Sequence, residues 1–135
     1  LMTVCTYPAF DLARSLFPSL VGNVADLYRQ SQAERLGVAL GSVLVILTAE
    51  ELLWRGAWFD AWCTRVGPLK AGALCVASYA LTQLCSGSLI VGLLAVVCGL
   101  VWTAMRHYSG SLVPSLIAHA IWTPTVILLF PVTWQ

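Results

Sequence analysis

Apolar residues in this chain gather into four long runs separated by short polar breaks. The first runs from about Leu36 to Trp54, close to the roughly 20 residues an α-helix needs to cross the hydrocarbon core of a bilayer. A second, shorter run covers about Leu69 to Leu84, a third Leu89 to about Met105, and a fourth about Ser111 to Phe130. Between them lie a polar connection with Arg65, Gly67, Pro68 and Lys70, an uncharged turn at Cys85-Ser86-Gly87-Ser88, and a loop at Arg106-His107-Tyr108-Ser109-Gly110. The pattern predicts an all-α fold, a polytopic membrane helical bundle of about four spans plus an N-terminal interfacial helix.

Residues 1–35 read differently from residues 36–135. Phe10, Leu12, Leu16, Phe17, Leu20, Val21, Val24 and Leu27 recur at near-helical spacing, interleaved with Asp11, Arg14, Asp26 and Arg29. Pro8 and Pro18 are expected to interrupt any long helix there. Such mixed patterning suits an amphipathic segment lying at the membrane interface. The chain opens Leu1-Met2, so upstream sequence is expected to be missing, and no ordered signal-peptide regions are seen at its start.

Within the first run, Gly37-x-x-x-Gly41 offers a site for close helix approach. Trp54, Trp58 and Trp62 recur every four residues, as in a helix at or leaving the interface, where indole rings are favoured. The third run holds nothing ionisable and reads as scaffold, with His107 beyond it as a solvated loop residue. In the fourth, Pro114 and Pro124 are expected to bend or break the helix.

Composition strengthens the membrane reading. Hydrophobic residues make up 59% of 135 and charged residues 10%, with a mean hydropathy of +0.85; soluble domains carry about 25% charge. A net charge of +1 gives no clustered basic face, so no nucleic-acid partner is expected. The cationic residues divide evenly, with Arg14, Arg29 and Arg35 against Arg65, Lys70 and Arg106, and assign no orientation. Five scattered cysteines without a Cys-x-x-Cys pair read as small apolar residues rather than a disulfide framework or metal site.

Against this background the charges at the end of the first run stand out. Ionisable residues at membrane depth are costly and mark functional sites by default, although an interfacial salt bridge at a helix end would carry the same residues. A helix turns roughly 100° per residue, so Glu51 and Arg55 share a face and can pair, while Glu50 points away. Tyr79 and Gln83 lie four apart on the second run, and His119 and Thr123 four apart on the fourth. Buried polar groups on neighbouring helices must find partners, and the economical arrangement is a shared, wet cavity. A carboxylate with an imidazole can activate water, and donors from the fourth helix can hold the oxyanion of a tetrahedral intermediate. Together these groups can hydrolyse a peptide bond inside a membrane.

Glu50-Glu51-Leu52-Leu53-Trp54-Arg55 fits the EExxxR motif of the CPBP family. This family comprises type II CAAX prenyl endopeptidases and bacterial bacteriocin-processing or immunity (Abi) proteins, regarded as glutamic intramembrane proteases. Its second motif, FxxxH, aligns with Tyr79-Ala80-Leu81-Thr82-Gln83, and its third, HxxxN or HxxxD, with His119-Ala120-Ile121-Trp122-Thr123. Gly110-Ser111-Leu112-Val113-Pro114 before the third motif is similar to the family as well, and the resemblance covers about residues 36–130. It implies a CAAX-protease-like fold, a water activated by Glu50, a structural pair of Glu51 and Arg55, and His119 in the oxyanion site. It also implies a membrane-associated protein or peptide substrate and a lipid bilayer setting in a bacterial cell membrane; from the residues, no cofactor and no metal are expected.

Two positions depart from the family. Gln83 stands where the second motif has histidine, and Thr123 where the third has Asn or Asp; Tyr79 for Phe is a milder change. A glutamine can hold a water but cannot take its proton near neutral pH, and losing a general acid–base group costs about 10²–10⁴ in rate. Two expectations follow: an intramembrane endopeptidase, or an impaired pseudoprotease acting as a membrane binding scaffold or bacteriocin-immunity-type protein. An ion-coupled carrier would need a longer chain with an internal repeat. A zinc protease would need a ligand set such as His-Glu-x-x-His, and a Ser115–His119 pair lacks the exposed nucleophile turn of serine hydrolases.

Overall fold

A computed structural model of the chain describes residues 2–16, 28–29 and 34–131, and every regular element among them is helical. They fall into two compact units, Leu1–Val45 with Ala120–Gln135, and Ile46–His119. In order, the elements are α1 (Met2–Leu16), α2 (Leu36–Glu51), a π-helical segment (Leu52–Trp58), α3 (Phe59–Val66), α4 (Pro68–Leu84), α5 (Leu89–Ser109), α6 (Val113–Pro124) and a second π-helical segment (Thr125–Leu129). Among the described residues, two continuous helical stretches are long and apolar enough to cross a membrane. Leu36–Val66 has 31 residues and mean hydropathy 1.9, and Leu89–Ser109 has 21 residues and mean hydropathy 2.1.

The first of these does not stop at Trp54, as its hydrophobic run suggests. No proline intervenes before Pro68 and Gly56 is carried inside the π segment, so α2 changes pitch there and continues as α3. Gly67 ends it with φ 81°, a conformation glycine adopts without steric cost, and Pro68 starts α4 where its missing N–H is no loss. α4 agrees with the expected second run to within a residue. The turn after it holds Gly87 at φ 82°, and the Ser88 side chain accepts from the Val91 N–H at 3.5 Å to start α5.

α5 runs past Met105 to Ser109 and closes on Gly110, whose φ of 66° and N–H bond to the Arg106 carbonyl form a left-handed cap. Arg106, His107 and Tyr108 therefore belong to the last helical turn rather than to a loop. His107 is half-buried, with its ring 6.5 Å from that of Phe59. Pro114 sits in the first turn of α6, where it costs little, and Pro124 at the junction with the second π segment.

In the unit Ile46–His119, α4 packs along α5, and Phe59, Ala71 and Cys75 form a buried cluster against which Trp54, Trp58, Trp62 and Cys63 pack. The tryptophan stripe is thus a packing wall, its neighbouring rings meeting edge to face at 6.0 and 6.1 Å. Leu81, Leu93, Val97 and Leu100 point outward and exposed. Large outward-facing apolar side chains along α4 and α5 suit a lipid surround. Of the five cysteines, Cys75 and Cys98 are buried, Cys63 is half-buried and Cys5 and Cys85 are exposed; all are free thiols.

In the other unit, α1 continues helical through Pro8, so this proline does not interrupt it. The helix is anchored by side-chain bonds: Thr6 Oγ1 accepts from Trp122 Nε1 at 2.8 Å, and the Tyr7 hydroxyl donates to the Phe130 carbonyl at 2.8 Å. Pro18 and the apolar positions from Phe17 to Leu27 lie outside the described residues. A Cβ added at Gly37 or Gly41 would meet nothing within 4 Å, so this pair mediates no close packing among the described residues.

Gly92 does mediate such packing. A Cβ there would collide with the Leu84 side chain across the α4–α5 contact. Leu84 is partly exposed and can turn aside, and alanine gains about 1 kcal/mol of helix propensity over glycine, so Gly92→Ala is expected to change stability by less than about 1 kcal/mol. With Leu84→Ala in the background the contact is gone and Gly92→Ala should stabilise, as read from thermal unfolding in detergent.

Candidate active site

The polar cluster forms where α2 passes into the π segment. Glu50 and Glu51 end α2, and Arg55 lies within the π turn. Single π turns are rare and occur often at functional sites. Glu51 and Arg55 are almost completely enclosed, at 1% and 0% exposure. Arg55 Nη1 lies 3.2 Å from Glu51 Oε1, and Nη2 donates to the Gly99 carbonyl at 3.5 Å. The guanidinium also lies over the rings of Tyr79 and Trp102, 4.5 and 5.3 Å from their centroids. Gly99 makes room for this arrangement, because a Cβ there would come within 3.3 Å of both Arg55 Nη2 and Tyr79 Cδ1.

Glu50 follows the other face. Its side chain keeps 21% of its exposure, and its two oxygens meet different donors. Gln83 Nε2 donates to Oε1 at 2.6 Å, and the Tyr79 hydroxyl donates to Oε2 at 3.4 Å. Both donors come from one face of α4. The residue replacing a phenylalanine is thus more than a mild change, because its added hydroxyl reaches the carboxylate.

His119 joins the two glutamates. It is buried at 3% exposure, with Nδ1 3.0 Å from Glu51 Oε1 and Nε2 3.9 Å from Glu50 Oε2. Trp102 stacks on its ring at 3.7 Å between centroids and 20° between planes. Glu50, Glu51, Arg55, Gln83 and His119 are therefore brought together in the unit Ile46–His119. Thr123 belongs to the other unit; its Oγ1 is buried with no hydrogen-bond partner among the described residues. Ser115 is fully buried and donates to the Leu112 carbonyl, which removes it as an exposed nucleophile.

Three contributors were not visible in the sequence. Trp102 and Gly99 lie on α5, which reads as plain apolar scaffold. Arg106 donates from Nε to the Arg55 carbonyl at 3.0 Å and pairs through Nη2 with Asp60 at 2.7 Å, fastening the π segment to the end of α5. Its only sequence signal is a cation at the end of an apolar run, which a loop residue gives equally.

The family model described as type II CAAX prenyl endopeptidase Rce1-like matches residues 32–124. The chain belongs to the Rce1-like family. The match takes in all three motif segments and the polar cluster, and with the apolar helices it makes this an integral membrane protein of the CAAX protease type. No curated protein and no solved structure matches the chain. The Rce1-like domain thus carries its two glutamates and arginine on one continuous helical stretch, with glutamine and tyrosine presented from α4.

Removing one partner of a buried ion pair costs about 3–5 kcal/mol, since the other charge is left uncompensated. Arg55→Leu is expected to destabilise the protein by about that much. The double variant Glu51→Gln with Arg55→Leu should be more stable than Arg55→Leu alone, a coupling that a double-mutant cycle of unfolding free energies measures.

Proposed function

We propose that this protein is an intramembrane endopeptidase that uses a water activated at Glu50 to cleave a membrane-associated protein or peptide. One observation carries the reading: Glu50 is the half-exposed carboxylate of a cluster whose other charged members are sealed inside. Of two adjacent carboxylates, the one that keeps exposure can meet a water, and the one enclosed by a guanidinium and an imidazole serves as the brace. Gln83 and Tyr79 supply two neutral donors that aim the Glu50 carboxylate, and orientation of this kind lowers a barrier without a proton transfer of its own. Glu51 and Arg55 act as the brace. His119 faces Glu50 at the reacting centre, and Thr123 enters through the third motif alone.

The family's description suggests prenylated peptides ending in Cys-a-a-X as the first substrates to try. In this proposal residues 36–135 form the multi-pass catalytic domain, residues 1–35 an interfacial segment, and the setting is a bacterial cell membrane.

A second reading has its own observation. Gln83 Nε2 sits 2.6 Å from Glu50 Oε1 and occupies an acceptor that a water would otherwise use. On that reading the protein is a pseudoprotease that keeps the cavity and binds a partner peptide or serves as an immunity protein.

The test uses purified protein in liposomes with fluorogenic prenylated and unprenylated peptides. The proteolytic reading predicts cleavage by the native chain and a fall of at least about 10² on Glu50→Ala, the cost of a misplaced attacking water, with membrane insertion unchanged. Cleavage that survives Glu50→Ala excludes the glutamate mechanism. Absence of cleavage by the native chain, with peptide binding retained in Glu50→Gln and cleavage appearing in Gln83→His, establishes the pseudoprotease.

A further inference from the structure

Gln83 and Tyr79 leave a chemical gap beside Glu50. Both donate to it, and neither an amide nor a phenol takes up a proton near neutral pH. The one neutral base facing Glu50 within this cluster is the imidazole of His119. Its two nitrogens have different surroundings. Nδ1 lies 3.0 Å from Glu51 Oε1, an oxygen that also receives Arg55 Nη1 at 3.2 Å. A carboxylate engaged by a guanidinium is an acceptor, so a hydrogen bond at that distance places the imidazole proton on Nδ1. In the neutral ring Nε2 then carries a lone pair, 3.9 Å from Glu50 Oε2. One water oxygen can hydrogen-bond to both atoms across that span.

Resting on the proteolytic reading, we infer that His119 is the proton acceptor for the attacking water in this protein, with Glu51 as the residue that fixes its tautomer. The water gives one hydrogen bond to Glu50 and its proton to His119 Nε2. Its oxygen forms the new bond to the peptide carbonyl carbon. The same Nε2–H then protonates the leaving nitrogen as the carbon–nitrogen bond breaks, giving a carboxylic acid and an amine and returning His119 to its neutral form. The role differs from the oxyanion donor that the family resemblance implies, because a donor needs its proton on Nε2.

Three features favour a transient imidazolium. Glu51 accepts from the Nδ1 proton, as the carboxylate of a serine-protease triad does. The stacked Trp102 ring offers a π face to a cation. The formal charges of Glu50, Glu51 and Arg55 sum to −1, so a proton on His119 neutralises the cluster at the moment of reaction. The stack also fixes the plane of the ring, so Nε2 stays near Glu50.

The tautomer can be read without any variant at the site. The chain has two histidines, His107 and His119, so nitrogen-15 NMR of histidine-labelled protein in nanodiscs gives two sets of ring signals. His107→Gln assigns them. The proposal expects His119 near neutral pH with its proton on Nδ1 and a bare Nε2, and cleavage of the fluorogenic peptides reduced about 10²–10⁴-fold in His119→Gln. A proton on Nε2, on both nitrogens, or native-rate cleavage by His119→Gln, whose amide still donates, overturns it. If the native chain cleaves no peptide while Nδ1 is protonated, the proteolytic reading falls and takes the proton-acceptor role with it. Cleavage with Nε2 protonated sinks the acceptor role alone and leaves the proteolytic reading standing.

Discussion

An arginine with no exposed surface has to be neutralised on every side, and the polar centre of this protein is arranged around that requirement. Arg55 is held by the Glu51 carboxylate, by the Gly99 carbonyl and by the faces of Tyr79 and Trp102. These partners come from α2, α4 and α5, so one guanidinium fixes the mutual placement of three helices. A buried ion pair is weak evidence for stability, because desolvation offsets most of its attraction. Ser115 adds a further side-chain contact to Glu51, so the enclosed carboxylate is engaged from α6 as well as by Arg55. Buried charges of this kind are better explained by what they hold in position.

What they hold in position is a pair of adjacent carboxylates with separate environments. Glu51 is enclosed and engaged by a guanidinium and an imidazole, while Glu50 keeps partial exposure and accepts from neutral donors. The separation follows from helical rotation, which turns neighbouring residues to different faces. The π segment begins one residue after Glu51 and carries Arg55. Its pitch keeps Arg55 beneath Glu51, and Arg106 fastens its backbone from the end of α5. The polar contacts of that segment are thus shared between the site and the scaffold that positions it.

Much of this was legible in the sequence. The pairing of Glu51 with Arg55 and the opposite heading of Glu50 follow from spacing alone, and so does the shared face of Tyr79 and Gln83. The ends of the helices were less legible. The stretch beginning at Leu36 outlasts its hydrophobic run because no proline interrupts it before Pro68 and the π segment carries Gly56. α5 absorbs Arg106 and His107 because polar residues are welcome in the last turn of a helix. Proline proved a weaker signal than its reputation, since Pro8 sits inside α1. The roles of Gly99 and Trp102 were out of reach, because an apolar run gives no sign of which residue faces a buried cation. Tyr79 shows the same limit at the scale of one atom: its hydroxyl matters only because Glu50 Oε2 is there to accept it.

The central claim is that the two glutamates do different work. Thermal unfolding midpoints of Glu50→Gln and Glu51→Gln in the same detergent or nanodisc test it most directly. The account predicts that Glu50→Gln leaves the midpoint near that of the native protein, because the amide oxygen keeps the shorter bond from Gln83 and the site is open enough for Tyr79, whose bond at 3.4 Å is the longer, to turn to water. Glu51→Gln should lower it by several degrees, since Arg55 and His119 lose their common acceptor charge in a buried setting. Equal losses in the two variants, or a larger loss for Glu50→Gln, would contradict the division into brace and reactive carboxylate.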